Sequence, residues 1–515
     1  MAMKVATYEE YSFDSLNTYA GIDCIVTLDL LKELFPTLVS EQKYNSWDGK
    51  QYIETRAPPI LTELLSIKTL ALEFTCDLRI VGMCYDIQAN KVLDERMQRD
   101  IDSTKDRIFA AVGKEIPLSG NGLVSFLYLE KGFKSPIRTA KDDDSASGDA
   151  LLALYEEHKL EWLMDIKRCQ DLTSMHNGFV KTYIDDYVKN DGRIHCQYHL
   201  NGTSSHRISS SDPNMLNMPS AFKDYGYGLR NLYTSTPGYT LLAFDFSSCE
   251  VKVLAAICRD PNMIHACVNN YDFHSFSAAM IMGIPYEEFL ARKGEPEFKK
   301  ARQDAKAVTF GILYGSSVGG VAYGLGVSVG EAQAIIDSYF NAFPLVKEFI
   351  DKAHKEALAN EFVFSPLGQR KAQFGAHPMF RGSAVYNGSM RNAQNVQIQG
   401  PASTLGLICF AMLNRALKDI GGRAVLTVYD SVEFEVPYGR EAEAVEMAFY
   451  YLDDWPVENF EFLDFPIGCD GELGPTFGTL KHVHRGISQE ECEAILAETY
   501  EEYMPINHRE YLEGH

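Results

Sequence analysis

The chain has 515 residues, 46% hydrophobic and 23% charged, which is typical of a soluble globular protein with about three or four substructures. It has no apolar run of eighteen residues, no secretory signal pattern and no Cys-x-x-Cys among its 11 cysteines, which predicts a cytoplasmic protein with reduced thiols and no membrane segment. The formal net charge of -23 predicts that any contact with nucleic acid is weak, salt-sensitive and confined to locally basic surfaces.

The first predicted helix contains YAGIDCIVTLDLLKELF and carries Tyr19 and Asp23 four residues apart on one side. Such a pair can serve a metal-dependent nuclease, in which the carboxylate holds a metal and the phenol orients water. A surface carboxylate beside a half-buried tyrosine is the simpler explanation. From about residue 58 to residue 188 the pattern is mainly helical, with long amphipathic runs at residues 89–113 and 149–188.

Residues 195–219 are rich in hydroxyls and short amides around Arg207, a composition that predicts a loop. Hydroxyls and an arginine can also hold sugar and phosphate oxygens or a base edge. The next stretch, residues 239–244, predicts a buried strand that ends at Asp245. A carboxylate there is costly unless a cation such as a divalent metal meets it, or unless it caps the following helix, for which Ser247 or Ser248 would serve equally well.

The segment RQDAKAVTFGILYG places two cations and then two aromatic rings at four-residue spacing, so that they share one helix face. These residues are Arg302, Lys306, Phe310 and Tyr314. The stripe suits a ligand that is anionic at one end and aromatic at the other, such as a nucleoside triphosphate. Solvated cations beside core aromatics are the alternative. His274, before another predicted helix, gains a functional meaning only if it shares a cavity with the two cations.

Further along, the glycines of residues 316–340 predict turns between helices, and Ser328 with Glu331 predicts a capping box. A phosphate-binding loop is excluded because the Gly-Lys-Ser/Thr ending and a leading strand are missing. A second polar stripe, formed by Arg391, Asn395 and Gln399, has the side chains that reach base edges in a minor groove, although plain surface polarity explains it as well.

The stretch AVLTVYDSVEFEVP predicts two strands joined by a turn, with Asp430 at its tip. An aspartate there can form the turn or bind a second metal ion. No argument from the sequence alone places Asp430 beside Asp245.

In this order, DFSSCEVKVLA, RQDAKAVTFGILYG and VYDSVEF resemble the three polymerase motifs of the DNA polymerase I family, also called family A. The stretches TSSHRISSSDPNMLNMP, YDFHS, SPLGQRK and RNAQNVQIQG agree, and the resemblance covers residues 61–483. It implies a multidomain α/β (α+β) right hand with an antiparallel palm sheet, helical fingers and a helical thumb. The segments implied are an exonuclease remnant (1–45), thumb (46–197), palm (198–275 and 395–483), fingers (276–394) and a C-terminal extension (484–515).

The resemblance implies a DNA-directed DNA polymerase of DNA replication that uses two Mg²⁺ ions, with Mn²⁺ able to substitute. The metal ligands implied are Asp245, Asp430 and the backbone carbonyl of Phe246. The deoxynucleoside triphosphate is assigned to Arg302, Lys306, His274, Phe310, Tyr314 and Glu250. The primer–template is assigned to Arg207, Arg391, Asn395, Gln399 and Tyr429.

Several roles follow from the same resemblance. Lys306 protonates the leaving pyrophosphate. Phe310 stacks on the incoming base and, lacking a hydroxyl, discriminates against dideoxynucleotides. Tyr314 occupies the templating position until the fingers close, and Glu250 excludes a ribose 2′-hydroxyl.

The departures from the family pattern are specific. Ser431 stands where a glutamate is usual, Lys252 where an arginine is usual and His206 where a glycine is usual. Tyr19 and Asp23 resemble the last motif of the proofreading exonuclease without the earlier ones, so we expect no proofreading by this chain alone. Either the chain belongs to a longer polymerase, or a separate exonuclease polypeptide completes the site, as in a bacteriophage replisome. A processivity factor is a further expected partner. The alternatives are a non-catalytic DNA-binding scaffold and a gap-filling repair enzyme.

Overall fold

A computed structural model of the chain describes residues 36, 40–47, 50–57, 67–139, 142–203, 207–219 and 225–509. The predicted pair Tyr19 and Asp23 and the departure at His206 lie outside these residues, as does most of the predicted exonuclease remnant. The class is mixed helix and sheet, as predicted.

An antiparallel sheet of eight strands forms the centre of the protein. The strands in the first half of the chain are β1 (Gln42–Trp47), β2 (Tyr52–Ala57), β3 (Met83–Tyr85), β4 (Arg193–Ile194), β5 (Gln197–His199), β6 (Ser209–Ser211), β7 (Tyr233–Thr234) and β8 (Tyr239–Phe246). Those in the second half are β9 (Phe362–Phe364), β10 (Arg370–Ala372), β11 (Arg423–Val428), β12 (Ser431–Pro437), β13 (Cys469–Thr476) and β14 (Thr479–Val483). The central sheet has the order β11-β12-β8-β13-β7-β3-β4, and β14 also pairs with β13.

Helices surround this sheet. Those that precede β8 in the chain are α1 (Thr69–Val81), α2 (Ile87–Val112), α3 (Gly120–Val124), α4 (Gly148–His158), α5 (Glu161–His176) and α6 (Tyr183–Tyr187). Those after β8 are α7 (Cys249–Cys258), α8 (Pro261–Val268), α9 (Phe273–Met282), α10 (Tyr286–Arg292), α11 (Pro296–Leu313), α12 (Val318–Leu325), α13 (Val329–Ala342) and α14 (Pro344–Asn360). The last are α15 (Ala384–Lys418), α16 (Glu441–Phe449), α17 (Trp455–Asn459) and α18 (Gln489–Glu502).

Two large hydrophobic cores lie against the sheet. One joins β8, β12 and β13 to α7, α11 and α15, with Phe244, Phe410 and Phe434 almost fully buried. The other joins β3, β4 and β7 to α2 and α5, with Met97 and Leu163 at its centre. The predicted thumb segment therefore contributes strands to the sheet as well as helices, because β3 and β4 complete its far edge.

Helix α15 is long and apolar enough to cross a membrane by length and composition, but 89% of its apolar window is buried within the protein. Burial of that extent is typical of a core helix. Its N-cap is Ser383, whose side chain accepts a hydrogen bond from the Tyr386 amide, and the helix carries the predicted stripe of Arg391, Asn395 and Gln399.

Three local predictions need correction. The predicted loop at 195–219 contains the antiparallel pair of β5 and β6, whose sequences Gln-Tyr-His and Ser-Ser-Ser lack the apolar alternation that signals a strand. Gly319, Gly320 and Gly324 lie inside α12, and only Gly315 and Gly326 adopt the left-handed turn conformation. The helical run at 149–188 is interrupted after α4, where Lys159 has a positive φ. The capping box of Ser328 and Glu331 is confirmed.

Candidate active site

Asp245 and Asp430 are neighbours at one end of the central sheet. Strand β8 lies between β12 and β13, and its Asp245 pairs with Ser431 on one side and Asp470 on the other. The Phe246 amide donates a hydrogen bond to the carbonyl oxygen of Asp430 at 3.1 Å. The hairpin predicted for β11 and β12 is thus present, and pairing with β8 sets its tip beside the end of the buried strand.

The environment of these two carboxylates is acidic. Both are exposed to solvent, but partial dehydration, together with the charges of Asp430, Asp470 and Glu472, raises the pKa of Asp245 to about 7. Dehydration also raises the pKa of Asp430, and Arg207 opposes that rise. Among the described residues no basic side chain forms an ion pair with either aspartate. Two unneutralised carboxylate groups side by side are an oxygen donor set that suits a hard divalent cation such as Mg²⁺.

The alternative that a serine or Asp245 caps α7 is wrong. Ser248 occupies the N-cap position without a capping hydrogen bond from its side chain. The Ser247 hydroxyl instead donates to Asp470 at 2.7 Å. Asp245 itself is the penultimate residue of β8 and not the residue before the helix.

Sequence reasoning missed three other acidic residues of this sheet face. Asp470 and Glu472 lie two apart on β13, and Glu433 lies on β12 opposite Ala243. Side chains two residues apart project from the same face of a strand. The alternating acids in CDGELG were a signal that could have been noticed.

A narrow cavity of about 20 Å³ brings five predicted residues together. They are Arg207, Glu250, Gln399, Tyr429 and Asp430. Arg207 forms an ion pair with Glu250, and its guanidinium lies 5.4 Å from the centre of the Tyr429 ring. Burial raises the pKa of Glu250, while the Arg207 charge and the polar groups of Tyr314 and Gln399 oppose the rise. The cavity therefore lies between α7, α15 and the turn that joins β11 to β12.

Helix α11 carries the predicted cation and aromatic stripe along its exposed side. Lys306 is exposed, with its Nζ 5.9 Å from the centre of the Phe310 ring. Phe310 is half-buried, and its ring centre is 5.8 Å from that of Tyr314 in a stacked arrangement. Arg302 is held by Asp272, whose Oδ2 accepts from the arginine Nε at 2.7 Å. The alternative of core aromatics fails for Tyr314, which is exposed, and holds in part for Phe310, which is partly buried against the main hydrophobic core.

His274 lies against the Phe310 ring of this stripe, whereas the cavity shared with Arg302 and Lys306 that its functional interpretation requires stays a prediction. Its ring centre is 5.6 Å from that of Phe310. Burial, aided by Lys306 and Arg302 and opposed by Asp272, lowers the pKa of His274 to about 4, so the ring is neutral at pH 7. Its buried Nδ1 has no hydrogen-bond partner among the described residues, which leaves a polar atom free for a ligand.

Tyr314 connects the stripe to the second polar helix. The tyrosine lines an open groove of about 360 Å³ together with Arg391 and Asn395 of α15. Gly315 follows in a left-handed conformation, and a Cβ at that position would lie 2.9 Å from the Arg391 side chain. Glycine is thus required there both by the positive φ and by the close approach of α15.

Two groups of predicted site residues are not joined by any described contact. Within the part of the chain that the structure describes, no hydrogen bond, ion pair or ring contact joins Arg302, Lys306 or His274 to Asp245 or Asp430. Lys252 is buried, and its ammonium donates to the carbonyl oxygen of Ile467. This departure from the family pattern therefore holds α7 to the segment before β13.

Comparison with known structures defines the class of protein. The polymerase domain of Pol1 from M. smegmatis, solved with a DNA primer–template and dNTP, matches with a TM-score of 0.72 and covers 82% of this chain and 71% of that one. At 24% sequence identity the match is evidence for the fold. The fold, an antiparallel sheet flanked by the helices described above, is therefore the right-hand fold of that polymerase domain.

The chain belongs to DNA polymerase family A, whose sequence model matches residues 87–479. It is similar to the thermostable DNA polymerase I of Thermus aquaticus, with 29% identity over 71% of this chain and 42% of that protein. DNA polymerase I of Pseudomonas aeruginosa is 26% identical over 84% of this chain and 45% of its own length. DNA polymerase I of Chloroflexus aurantiacus is 26% identical over 94% of this chain and 48% of its own length. The chain spans about half the length of these relatives. All three are bacterial, and the bacteriophage type stays a prediction.

Proposed function

We propose that this chain is a DNA-directed DNA polymerase of DNA replication that adds deoxynucleotides to a primer 3′-hydroxyl along a template. One observation carries the proposal: the sheet register sets Asp245 and Asp430 side by side. Membership of family A and the cation and aromatic stripe of α11 support it. A non-catalytic scaffold would gain nothing from two unneutralised carboxylates, which disfavour the folded state.

Asp245, Asp430 and the backbone carbonyl of Phe246 would hold two Mg²⁺ ions, for which Mn²⁺ can substitute. When bound, such ions activate the primer hydroxyl and stabilise the charge that develops on the leaving pyrophosphate. The high pKa of Asp245 indicates that its ionisation is costly without a cation. Ser431, in place of the usual glutamate, leaves the pair of aspartates as the direct ligands.

The nucleotide is assigned to the stripe of α11 and its neighbours. Arg302 and Lys306 bind the triphosphate as cations, and neutral His274 donates a hydrogen bond to it. Lys306 then gives its proton to the pyrophosphate. Phe310 stacks on the base, and Glu250, held by Arg207, excludes a 2′-hydroxyl from the sugar site.

The primer–template is assigned to the cavity and groove on either side of Tyr314. Arg207, Gln399 and Tyr429 line the cavity beside Asp430, and Arg391 and Asn395 line the groove. Long amides and arginine can contact the N3 and O2 acceptors that all base pairs present in the minor groove. Such contacts test the shape of a pair and leave sequence to the template.

The test is replacement of Asp430 with Asn in a primer-extension assay. We expect Asp430→Asn to reduce extension by at least about 10²-fold, because a neutral amide cannot hold the metal against the other charges. Primer–template affinity and thermal stability should be retained.

Asp470→Asn is the matched control, since Asp470 is the other aspartate beside Asp245 but is not assigned to the metal. It should keep most of the activity. Unchanged extension by Asp430→Asn would contradict the proposed function.

A further inference from the structure

The end of α11 is closed by a Schellman motif. The helix ends at Leu313, and Gly315 then adopts the left-handed conformation. The Ser316 amide donates to the Gly311 carbonyl oxygen at 2.8 Å, and the Gly315 amide donates to the Ile312 carbonyl oxygen at 3.1 Å. Because a carbonyl oxygen has two lone pairs, the Ile312 oxygen can accept a second hydrogen bond.

Gln394 of α15 donates that second hydrogen bond. Its Nε2 lies 2.7 Å from the Ile312 carbonyl oxygen, and the residue is only 3% exposed. The Oε1 of the same amide lies 3.1 Å from Nε2 of His354 on α14. Since a carbonyl can only accept, the amide nitrogen has to face Ile312, and the amide oxygen then accepts from His354. One buried side chain therefore joins α11, α14 and α15.

The anchored carbonyl lies between the two aromatic residues of the α11 stripe. Phe310 and Tyr314 are each two residues from Ile312, and the Tyr314 amide donates to the Phe310 carbonyl oxygen at 2.9 Å. Arg391, one turn before Gln394 on the same side of α15, approaches the glycine after Tyr314 so closely that a Cβ there would lie 2.9 Å from it. Helix α15 therefore sets the position of the turn that carries both rings.

We propose that Gln394 is a positioning residue for the nucleotide, which holds the Ile312 carbonyl and so fixes the Phe310 and Tyr314 rings before the nucleotide binds. This inference rests on the proposed polymerase function and adds to it a residue that is assigned to neither substrate nor metal. If the last turn of α11 is free to move, nucleotide binding has to order the two rings. That cost applies equally to the bound substrate and to the transition state, so it raises the KM and leaves kcat nearly unchanged.

The test replaces Gln394 with methionine, an unbranched side chain of similar length that lacks the amide. In single-nucleotide extension we expect Gln394→Met to raise the KM for the deoxynucleotide about three- to tenfold, the range of one hydrogen bond. The kcat and the affinity for the primer–template should be nearly unchanged. His354→Phe, which removes the donor to Oε1, should raise the KM by a smaller factor. In the double variant the two factors should not multiply, because both changes act through the same amide.

Gln397→Met is the matched control. Gln397 lies three residues later on α15, is 8% exposed, and its Nε2 has no hydrogen-bond partner among the described residues. The substitution should leave the KM unchanged. Hydrogen–deuterium exchange of residues 310–316 gives a readout that does not depend on catalysis, and Gln394→Met should accelerate it whereas Gln397→Met should not.

An unchanged KM in Gln394→Met would overturn the inference even if the exchange of residues 310–316 were faster, because the amide would then hold the helix without affecting the nucleotide. Equal increases in KM for the Gln394 and Gln397 variants, or a loss confined to kcat, would overturn it as well. Failure of the parent chain to extend a primer would instead refute the proposed function on which the inference rests.

Discussion

Glu435 and Glu433 on β12 are equally buried but have different hydrogen-bond partners. Glu435 is fully buried and bonds with Arg193, Arg423 and the Thr236 amide. Glu433, two residues earlier on the same face, is equally buried, but it accepts only from the Ser431 hydroxyl at 3.2 Å, and its Oε2 has no partner among the described residues. Burial raises the pKa of Glu433 to about 8. This residue is therefore a neutral acid at pH 7, close to Asp245.

Glu433→Gln tests this assignment through the pH dependence of stability. Because the pKa of Glu433 is raised in the folded state, its contribution to stability falls as the pH rises from about 4.5 towards 8. The glutamine variant does not titrate, so it should gain about 2–4 kcal/mol relative to the parent between pH 5 and pH 8.5. Urea unfolding at both pH values with EDTA measures the difference.

Glu435→Gln is the matched control for that experiment. It should destabilise the protein at both pH values, because it leaves two arginines facing a neutral group. A pH-independent difference between Glu433→Gln and the parent would contradict a neutral Glu433.

Phe310 is the residue for which the family resemblance predicts the most specific effect. Its ring lies between His274 and Tyr314 and is half-buried. Phe310→Tyr should raise the kcat/KM for a dideoxynucleotide by about tenfold or more, the range of one added hydrogen bond, and leave the kcat/KM for the deoxynucleotide nearly unchanged. Single-nucleotide extension with both substrates measures the ratio. An unchanged ratio would remove Phe310 from the sugar site.

At the scale of elements, Asp272 links α11 to its neighbours. Its carboxylate accepts from Ser275 of α9, from Lys293 after α10 and from Arg302 of α11. Burial opposes ionisation, but these hydrogen bonds hold the pKa of Asp272 well below its usual range. The arginine predicted to grip the triphosphate is thereby fixed in orientation before any ligand binds.

Asp272→Asn should weaken this link. We expect a loss of about 1–2 kcal/mol in the free energy of unfolding at pH 7, because three charge-assisted or hydroxyl hydrogen bonds are weakened at once. The KM for the nucleotide should rise several-fold, since Arg302 is no longer oriented. Asp337→Asn on α13 is the control, because that exposed aspartate bonds only to Gln333 among the residues that the structure describes. A loss of stability with an unchanged KM would limit Asp272 to a structural role.

At the scale of the whole molecule, residues 489–508 connect the start of α2 to the central sheet. Helix α18 packs on β13 and β14, and the residues after it return to the start of α2. Buried Asp86 caps that helix by accepting from the Ala89 amide and also accepts from the Ile506 amide at 2.7 Å. Buried His508 bonds with the Ser235 carbonyl. This segment, for which the sequence suggested no role, therefore holds the first long helix to the central sheet.

Asp86→Ala tests that closure. It removes a helix cap and leaves the Ala89, Ile506 and Asn507 amides without their acceptor, so we expect a loss of about 3 kcal/mol in the free energy of unfolding. Ser147→Ala, which removes only the cap of α4, should cost about 1 kcal/mol. Equal effects of the two variants in urea unfolding would show that the C-terminal contact adds nothing.

The local pattern of the sequence was sufficient to predict elements that form from neighbouring residues. The strand that ends near Asp245, the hairpin at Asp430, the stripe of α11 and the capping box at Ser328 each depend on periodicity or on turn chemistry within a few residues. The ordered motifs also predicted family A and the right-hand fold, because their order along the chain is itself sequence information. Short polar strands such as β5 and β6 were missed, since the sequences Gln-Tyr-His and Ser-Ser-Ser are too short and too polar to show hydrophobic alternation.

Only the tertiary structure determined which residues that are remote in sequence lie next to each other. The register of β12 and β13 on β8 pairs Asp245 with Ser431 and Asp470, residues more than 180 positions away, and a shift by one residue would send these side chains to the opposite face. Contacts between remote segments also raise the pKa of Asp245 and join Ile506 to Asp86. Such effects depend on distances between remote segments, which periodicity along a single chain cannot contain.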